Sequence, residues 1–450
     1  MKLKILFFSL FIFSGNAQEI EVRLRTLSDV KPLYISQVFV DADASYKHYG
    51  DEVRALLEQD FTRCGLVAIL PMRAEWEGQL QRPNARETFD LSLWKKSKIS
   101  YALSLRLFDR SLQITAFNVD KGTSKQFANI ELSGHMKQDR TKLHKLADKI
   151  QRELFGYDGI SSLRIIYSAR LQQKDGSFTS EIWLSDADGE NARQLTYENA
   201  YCITPSFYPR TAGMENPPFY YISYKNGQPK IYSSRAHESV NIPLIELRGN
   251  HALPKLNAAG TQMAFIADAA GRPDLFIQNF SSDNRPVGKA LQLFSANRAS
   301  QASPTYSPDG KKIAFVSDKD GTPRIYLIDA KPVQNPMKEK PLLITRRNRE
   351  NTCPSWSLDG KKIAYSAKVD GVRQIWIYDV HSGEETQLTF NEGNKENPSW
   401  APNSLHLVYN TDVNEEGEIF LIDINRKEPV QISKGIGQKR FPSFETRDAR

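Results

Sequence analysis

One short segment has the residue types of a cation-binding loop. Residues 186–191 read DADGEN, and a calcium loop begins in a similar way, with alternating carboxylates that coordinate the ion. The sixth position is Asn191 where such a loop requires glycine, and the twelfth is Tyr197 where it requires glutamate. The same place in neighbouring repeats holds Asp329 or the run 379–383, both typical of hairpin turns. We therefore predict a turn rather than a calcium site.

The cysteines and histidines lack the spacing of metal ligands. Cys64, Cys202 and Cys353 form no CxxC pair, and no histidine lies at ligand spacing from any of them. Their odd number leaves at least one cysteine unpaired within the chain. We predict three small buried side chains, no metal site and no cofactor.

Catalytic motifs are missing as well. The sequence contains no GxSxG, GxxxxGK[ST], GxGxxG or HExxH. Asp309 and Asp359 recur at one position of a repeat, which predicts turn-forming residues rather than an acidic catalytic pair. Tyr306, Trp356 and Trp400 also recur, and we predict that they pack between repeats. The sequence therefore contains none of these catalytic motifs and offers no predicted catalytic residue.

The first seventeen residues are typical of a secretory signal peptide. They read MKLKILFFSLFIFSGNA, with a basic start, an apolar run over residues 5–13 and small residues before Gln18. We predict cleavage between Ala17 and Gln18. The apolar run is about half of the roughly 20 residues that span a bilayer, so we expect an exported protein without stable membrane insertion.

The composition is that of an ordinary globular protein. Of 450 residues, 40% are hydrophobic and 25% are charged, and the formal net charge is +7. The basic residues form no block, which argues against a nucleic-acid partner. Aromatic residues make up 10% of the chain, a proportion that favours strands.

A repeat fills the C-terminal two thirds of the chain. Residues 304–330 read PTYSPDGKKIAFVSDKDGTPRIYLIDA, and residues 354–380 read PSWSLDGKKIAYSAKVDGVRQIWIYDV. Each unit is typical of four short strands joined by tight turns. The units recur every 44–50 residues, and a repeat of this length predicts a β-propeller. The prolines that lead the units are Pro205, Pro254, Pro304, Pro354, Pro398 and Pro442.

The two ends of the repeat region complete one blade. Residues 164–196 supply a second, third and fourth strand without a first, and Phe441–Phe444 supplies a first strand with nothing after it. The sequence therefore predicts six blades, with the C-terminal strand closing the ring. Cys202 and Cys353 then belong to opposite blades, too far apart for a disulfide.

The preceding segment has a different pattern. An extended stretch at Leu33–Phe39, helices at Tyr49–Arg63 and 140–155, and alternating strands between them predict about five strands and two helices. The predicted fold is an α+β N-terminal domain followed by an all-β six-bladed β-propeller. Its boundaries are 1–17 for the signal peptide, 18–155 for the N-terminal domain and 160–450 for the propeller.

An exported α+β domain followed by six repeats of PxWSPDGxxIAFxSxxxGxxxIYxxD resembles the TolB family of the Tol–Pal system. The resemblance covers the whole chain after the leader, although residues 208–210 and 257–259 depart from the SPDG turn. It implies a periplasmic protein without enzymatic activity that binds the lipoprotein Pal and the inner-membrane protein TolA. It also implies a role in outer-membrane integrity and in outer-membrane invagination during cell division. We expect a monomer.

The residues just before the leading prolines are expected to ring one mouth of the channel. The ring combines polar and aromatic side chains and contains both acidic and basic residues, a mixture that suits a protein ligand. The resemblance assigns this ring to Pal. The predicted residues are Tyr201, Asn250, His251, Gln301, Ala302, Asn351, Thr352, Glu396, Asn397 and Arg440.

The start of the predicted mature chain alternates charged and apolar residues over 18–30, a pattern typical of a strand. It could be an edge strand of its own domain, or it could be released to pair with the sheet of a partner. The resemblance assigns it to TolA binding. The predicted residues are Glu19, Ile20, Glu21, Val22, Arg23, Leu24 and Arg25.

An exported propeller hydrolase, or another propeller enzyme of unknown substrate, is the alternative function. Convergent carboxylates in the channel would favour it.

Overall fold

The computed structural model describes most of the chain after the predicted leader. The described residues are 30–40, 46–81, 89–210, 212, 214–235, 243–412, 416–426, 428–435 and 437–447. The predicted signal peptide, its cleavage position at Ala17 and Gln18, and the predicted TolA-binding residues 19–25 lie outside them. No helix among the described residues is both long and apolar enough to cross a bilayer.

Within the described residues, the N-terminal region is a five-stranded sheet with four helices. The sheet order is β2-β1-β3-β4-β5, in which β1 runs parallel to both of its neighbours and the other pairs are antiparallel. The strands are β1 (Lys31–Val40), β2 (Val67–Ile69), β3 (Tyr101–Phe108), β4 (Ser111–Asn118) and β5 (Thr123–Glu131). The helices are α1 (Tyr46–Arg63), α2 (Ala74–Leu80), α3 (Leu91–Lys96) and α4 (Met136–Phe155).

Both faces of this sheet are covered, which explains why β3 is buried along almost its whole length. The long helices α1 and α4 pack on one face, with Val53 and Ile150 in that core. The short helices α2 and α3 cover the other face, where Trp76 and Trp94 pack around Tyr34. The sequence pattern predicted the two long helices but not these two. Each short helix has fewer than two turns, which is too short to show a helical repeat of apolar residues.

Six small sheets form the propeller, and the strands of its first half are β6 (Arg164–Gln172), β7 (Phe178–Asp186), β8 (Arg193–Gln194), β9 (Cys202–Phe207), β10 (Phe219–Ser223), β11 (Lys230–Ser234), β12 (His251–Leu256), β13 (Gln262–Ala267), β14 (Asp274–Phe280) and β15 (Pro286–Phe294). Those of the second half are β16 (Gln301–Tyr306), β17 (Lys312–Ser317), β18 (Arg324–Asp329), β19 (Leu342–Leu343), β20 (Asn351–Trp356), β21 (Lys362–Val369), β22 (Val372–Asp379), β23 (Glu385–Gln387), β24 (Asn394–Trp400), β25 (His406–Asp412), β26 (Ile419–Asp423), β27 (Val430–Gln431) and β28 (Gln438–Phe444). A 3₁₀ helix at Pro336–Lys338 precedes β19. Within the described residues, the second blade has three strands and the other five blades have four.

The C-terminal strand closes the ring as predicted. Strand β28 pairs antiparallel with β6 from Gln438 opposite Arg170 to Phe444 opposite Ile165, so the first blade has the order β28-β6-β7-β8. The remaining blades are β9–β11, β12–β15, β16–β19, β20–β23 and β24–β27. Closure pairs the inner edge of β6 and places an inner strand of each blade at the axis, where the six inner strands are short, protected edges of their sheets.

Each inner strand carries the same bulge just before its proline. Two residues of the inner strand oppose one residue of the neighbouring strand, and the first of the two has a left-handed backbone with φ between 45° and 54°. Side chains other than glycine rarely adopt this conformation, so its repetition marks it as part of the design of the blade. The six residues are Thr204, Leu253, Ser303, Cys353, Asn397 and Phe441.

Candidate protein-interaction site

The propeller has two different faces because each blade is an antiparallel meander. All inner strands begin on one face, which also holds the turns between second and third strands; we call it the mouth face. All inner strands end on the opposite face at turns such as Ser307–Gly310, and we call this the domain face, because the N-terminal region packs on it.

Hydrogen bonds attach the N-terminal region to the domain face. The Nε2 atom of His406, in the sixth blade, donates to the backbone carbonyl of Arg63 at 2.8 Å. The side-chain amide of Asn403 donates to the carbonyl of Asp158 at 3.2 Å. The guanidinium of Arg426 donates to the carbonyl of Thr62 at 3.1 Å. The end of α1 therefore lies directly on the sixth blade.

A buried charge cluster extends this contact to the first blade. The carboxylate of Asp188 contacts the guanidinium of Arg140, and lies 3.5 Å from Nε2 of His144 and 3.9 Å from Arg63. The other ring nitrogen of His144 lies 2.8 Å from the carboxylate of Asp60. Burial opposes the charged imidazolium, but the nearby carboxylates of Asp188 and Asp60 raise the pKa of His144 to about 9. Burial likewise opposes ionisation of Asp188, yet His144 and Arg140 lower its pKa.

The segment that resembles a calcium loop is part of this cluster. It forms the predicted turn between β7 and β8, in which the amide of Gly189 donates to the carbonyl of Asp186 at 2.9 Å. His144, Asp186 and Asp188 offer three potential metal ligands within 4.8 Å of one another. Since cationic side chains of this chain already face Asp188, the geometry indicates a contact between domain and propeller.

On the mouth face, three predicted site residues are buried. The predicted ring at the channel mouth includes His251, Gln301 and Asn351, but the side chains of these three residues are buried. Each is the first residue of its inner strand and lies inside the propeller; the Nε2 atom of His251 is 3.0 Å from the carbonyl of Leu247. Burial lowers the pKa of His251 to about 4.

The other seven predicted residues are at least partly exposed, but they occupy different register positions. Ala302, Thr352, Glu396 and Arg440 each stand two residues before the proline. Asn397 is the bulge residue of its blade, while Tyr201 and Asn250 precede their strands. Ile203 and Ala252 complete the second-before-proline level, and counting back two residues from every proline would have found them.

Ion pairs connect neighbouring blades at this mouth. The guanidinium of Arg373 lies 3.2 Å from the carboxylate of Glu396 and donates to the hydroxyl of Thr352 at 3.2 Å, joining the fifth and sixth blades. Arg440 of the first blade pairs with Asp412 of the sixth at 3.1 Å. These contacts hold charged groups of both signs in fixed positions around the opening.

The exposed aromatic side chains of the propeller lie on the mouth face. Between residues 160 and 447, within the described residues, five aromatic side chains have exposed fractions of 37–66%, and all five lie in turns or strand ends of this face. Tyr201 and Tyr224 pack edge to face with ring centroids 6.3 Å apart. The five residues are Phe178, Tyr197, Tyr201, Tyr224 and Phe390.

The channel connects this mouth to a wider chamber at the domain face. Its narrow part has a volume of about 120 Å³ and is lined by three residues of every inner strand, centred on the prolines. The chamber has a volume of about 540 Å³, and Tyr306, Trp356 and Trp400 lie in its wall. Tyr306 and Trp400 also donate hydrogen bonds to the preceding blade, so these aromatic residues pack between blades as predicted. Among the described lining residues there is one carboxylate, Glu445, and no histidine.

Residues 152–447 match the family described as the TolB beta propeller domain. This chain belongs to the TolB family. It is 40% identical to a TolB homolog of Protochlamydia amoebophila over 297 residues, covering 65% of this chain and 63% of that relative. It is 34% identical to a TolB homolog of Chlamydia felis over 306 residues, covering 66% of each. The matched region thus spans just under two thirds of these relatives.

The fold has a close counterpart among solved structures. A crystal structure of TolB from Acinetobacter baumannii superposes with a TM-score of 0.72 at 22% identity, covering 93% of this chain and 97% of that one. The prediction of a six-bladed propeller after a small domain of helices and strands is confirmed.

Proposed function

We propose that this chain is the periplasmic protein-binding component of a Tol–Pal system, and that it binds Pal on the mouth face and TolA through residues 18–30. Its cellular role would be to maintain outer-membrane integrity and to support invagination of the outer membrane during division. We propose a binding protein and not an enzyme. Membership of the TolB family supports this assignment.

The observation that carries the proposal is the contrast between the two faces. The N-terminal region covers part of the domain face, whereas the mouth face combines exposed aromatic residues with ordered ion pairs. Aromatic and arginine side chains supply most of the binding energy of protein interfaces, and polar groups commonly form the rim. The mouth face therefore suits a folded protein ligand such as Pal.

The proposed TolA segment precedes a strand inside the N-terminal sheet. Strand β1 begins at Lys31, whose amide donates to the carbonyl of Leu66 at 3.1 Å, so a chain that begins at Lys31 keeps its sheet contacts. The alternating pattern of residues 18–30 suits addition to the edge of a partner sheet through backbone hydrogen bonds.

Two chains, 18–450 and 31–450, separate the two parts of the proposal. Each would be titrated calorimetrically with the periplasmic domain of Pal and with the C-terminal domain of TolA from the same organism. We expect both chains to bind Pal with the same affinity and the shorter chain to bind TolA at least about 100-fold more weakly, because the pairing segment is gone.

Pal binding serves as the folding control for the shorter chain. Failure of chain 18–450 to bind Pal would overturn the proposed function. Undiminished binding of TolA to chain 31–450 would show that residues 18–30 are not the TolA site.

A further inference from the structure

A ring of polar side chains crosses the channel where it widens into the chamber. Each inner strand contributes the residue directly after its proline, and all six residues line both the narrow part and the chamber. Five of them carry hydroxyl groups and the sixth is a lysine. The ring consists of Ser206, Lys255, Thr305, Ser355, Ser399 and Ser443.

Lys255, which is partly buried, differs from the buried lysines of the inner strands. Lys395 donates to the carbonyls of Asn391 and Gly393, each at 2.8 Å, and Lys439 pairs with Glu418 at 2.9 Å. Among the described residues Lys255 has no acidic or carbonyl partner of this kind, and burial lowers the pKa of its amino group. An ammonium held in a channel without an anion is stabilised by an anionic ligand.

The chamber around the ring favours negative charge. Its described lining includes the basic residues Lys255, Arg210 and Arg447 and one carboxylate, Glu445. Arg447 is paired with Asp148 at 3.0 Å, so the positive charge offered to the channel is that of Lys255. That carboxylate is paired with Arg164, which leaves no acidic side chain directed at Lys255 from the lining. Hydroxyl groups can donate hydrogen bonds to an anion, whereas a bare cation would find no carboxylate in the ring.

We propose that this ring binds a small tetrahedral oxyanion of the phosphate or sulfate class. Such an anion presents acceptor oxygens in several directions, so hydroxyl groups from different blades can donate to it at once while Lys255 supplies the charge. The site lies inside the channel and is distinct from the proposed Pal surface on the mouth face. The same chemistry is offered by free phosphate and by the phosphate group of a larger molecule, for which the chamber has room.

The test measures binding to the mature chain, residues 18–450. Its thermal midpoint would be followed while sodium phosphate, sodium sulfate or glycerol phosphate is added at constant ionic strength set with sodium chloride. We expect a saturable rise of the midpoint, since a ligand that binds only the folded state stabilises it. A larger response to glycerol phosphate than to inorganic phosphate would identify a phosphate ester as the better ligand, and the reverse would identify the free anion.

Variants locate the binding in the ring. Lys255→Gln should weaken the apparent affinity at least about tenfold, because a charge-assisted hydrogen bond is lost. Ser355→Ala should weaken it a few-fold, and it provides the test if Lys255→Gln does not fold. Lys174→Gln removes the same charge from an exposed turn of the mouth face and should leave the affinity unchanged.

The proposal is overturned if none of the three anions raises the midpoint of the wild-type chain beyond chloride. It is also overturned if the ring variants bind as tightly as the wild type, which would place the anion elsewhere.

Discussion

A single residue, His144, connects the N-terminal region to the propeller. Its ring lies between Asp60 of α1 and Asp188 of the first blade, and neighbouring guanidinium groups of Arg63 and Arg140 complete the cluster. Because both acidic partners are buried, their attraction for a charged imidazolium is less screened than on the surface and offsets the desolvation of the ring. The contact between the N-terminal region and the propeller should therefore depend on protonation of His144.

The pH dependence of stability follows from the sign of this shift. The pKa of His144 rises from an ordinary 6.5 to about 9 on folding, so the stabilisation is complete below about pH 6.5 and is lost as the pH rises through 9. The stabilisation amounts to at most about 3 kcal/mol. We expect the thermal midpoint to fall between pH 7 and pH 9.5, and His144→Gln to start lower and fall less over that range. Equal pH profiles for the two proteins would show that His144 does not carry the effect.

Among the strands and turns, the sequence predicted the blades but not the bulges of their inner strands. The repeat predicted the blades, their number and the closing strand, because turn residues such as Pro308 and Gly310 recur at fixed positions. It could not predict the bulge before each proline, since threonine, leucine, serine, cysteine, asparagine and phenylalanine have no common backbone preference. Position along the strand likewise could not show that the side chains of His251 and Gln301 are buried.

The bulge makes a prediction about backbone strain. Thr204 is β-branched and has a φ of 49°, and its hydroxyl has no hydrogen-bond partner among the described residues. A left-handed backbone costs a residue with a side chain about 1–2 kcal/mol, and glycine avoids this cost. The greater freedom of glycine in the unfolded chain offsets part of that gain in stability. Thr204→Gly should therefore leave the free energy of unfolding in urea unchanged or raise it by up to about 1 kcal/mol.

The neighbouring residue is the matched control for this substitution. Ile203 has ordinary strand pairing opposite Ile222, and its side chain packs against the core of the second and third blades. Ile203→Gly should lower the free energy of unfolding by about 2 kcal/mol or more, since it removes packing and adds flexibility. A Thr204→Gly protein as unstable as Ile203→Gly would contradict the assignment of strain to the bulge.

At the scale of the whole molecule, the position of the N-terminal region distinguishes the two faces. No pattern in the sequence predicts this position, because it depends on contacts between distant residues such as His406 with Arg63 and Asn403 with Asp158. The same contacts leave the mouth face available, with its exposed tyrosines and the ion pair between Arg440 and Asp412. A partner could therefore dock on the mouth face without displacing the N-terminal region from the domain face.

Docking of Pal on the mouth face can be tested directly. The affinity of the mature chain for the periplasmic domain of Pal is measured after single changes on this face. Tyr201→Ala removes an exposed aromatic contact and should raise the dissociation constant at least about tenfold with little change in thermal midpoint. Arg440→Glu reverses a rim charge and should weaken binding as much, but it also breaks the ion pair with Asp412 and should lower the midpoint. Leu342→Ala and Lys331→Glu make comparable changes at exposed sites away from the mouth face and should bind Pal like the wild type. If both mouth-face variants bind Pal with wild-type affinity, Pal does not dock on this face.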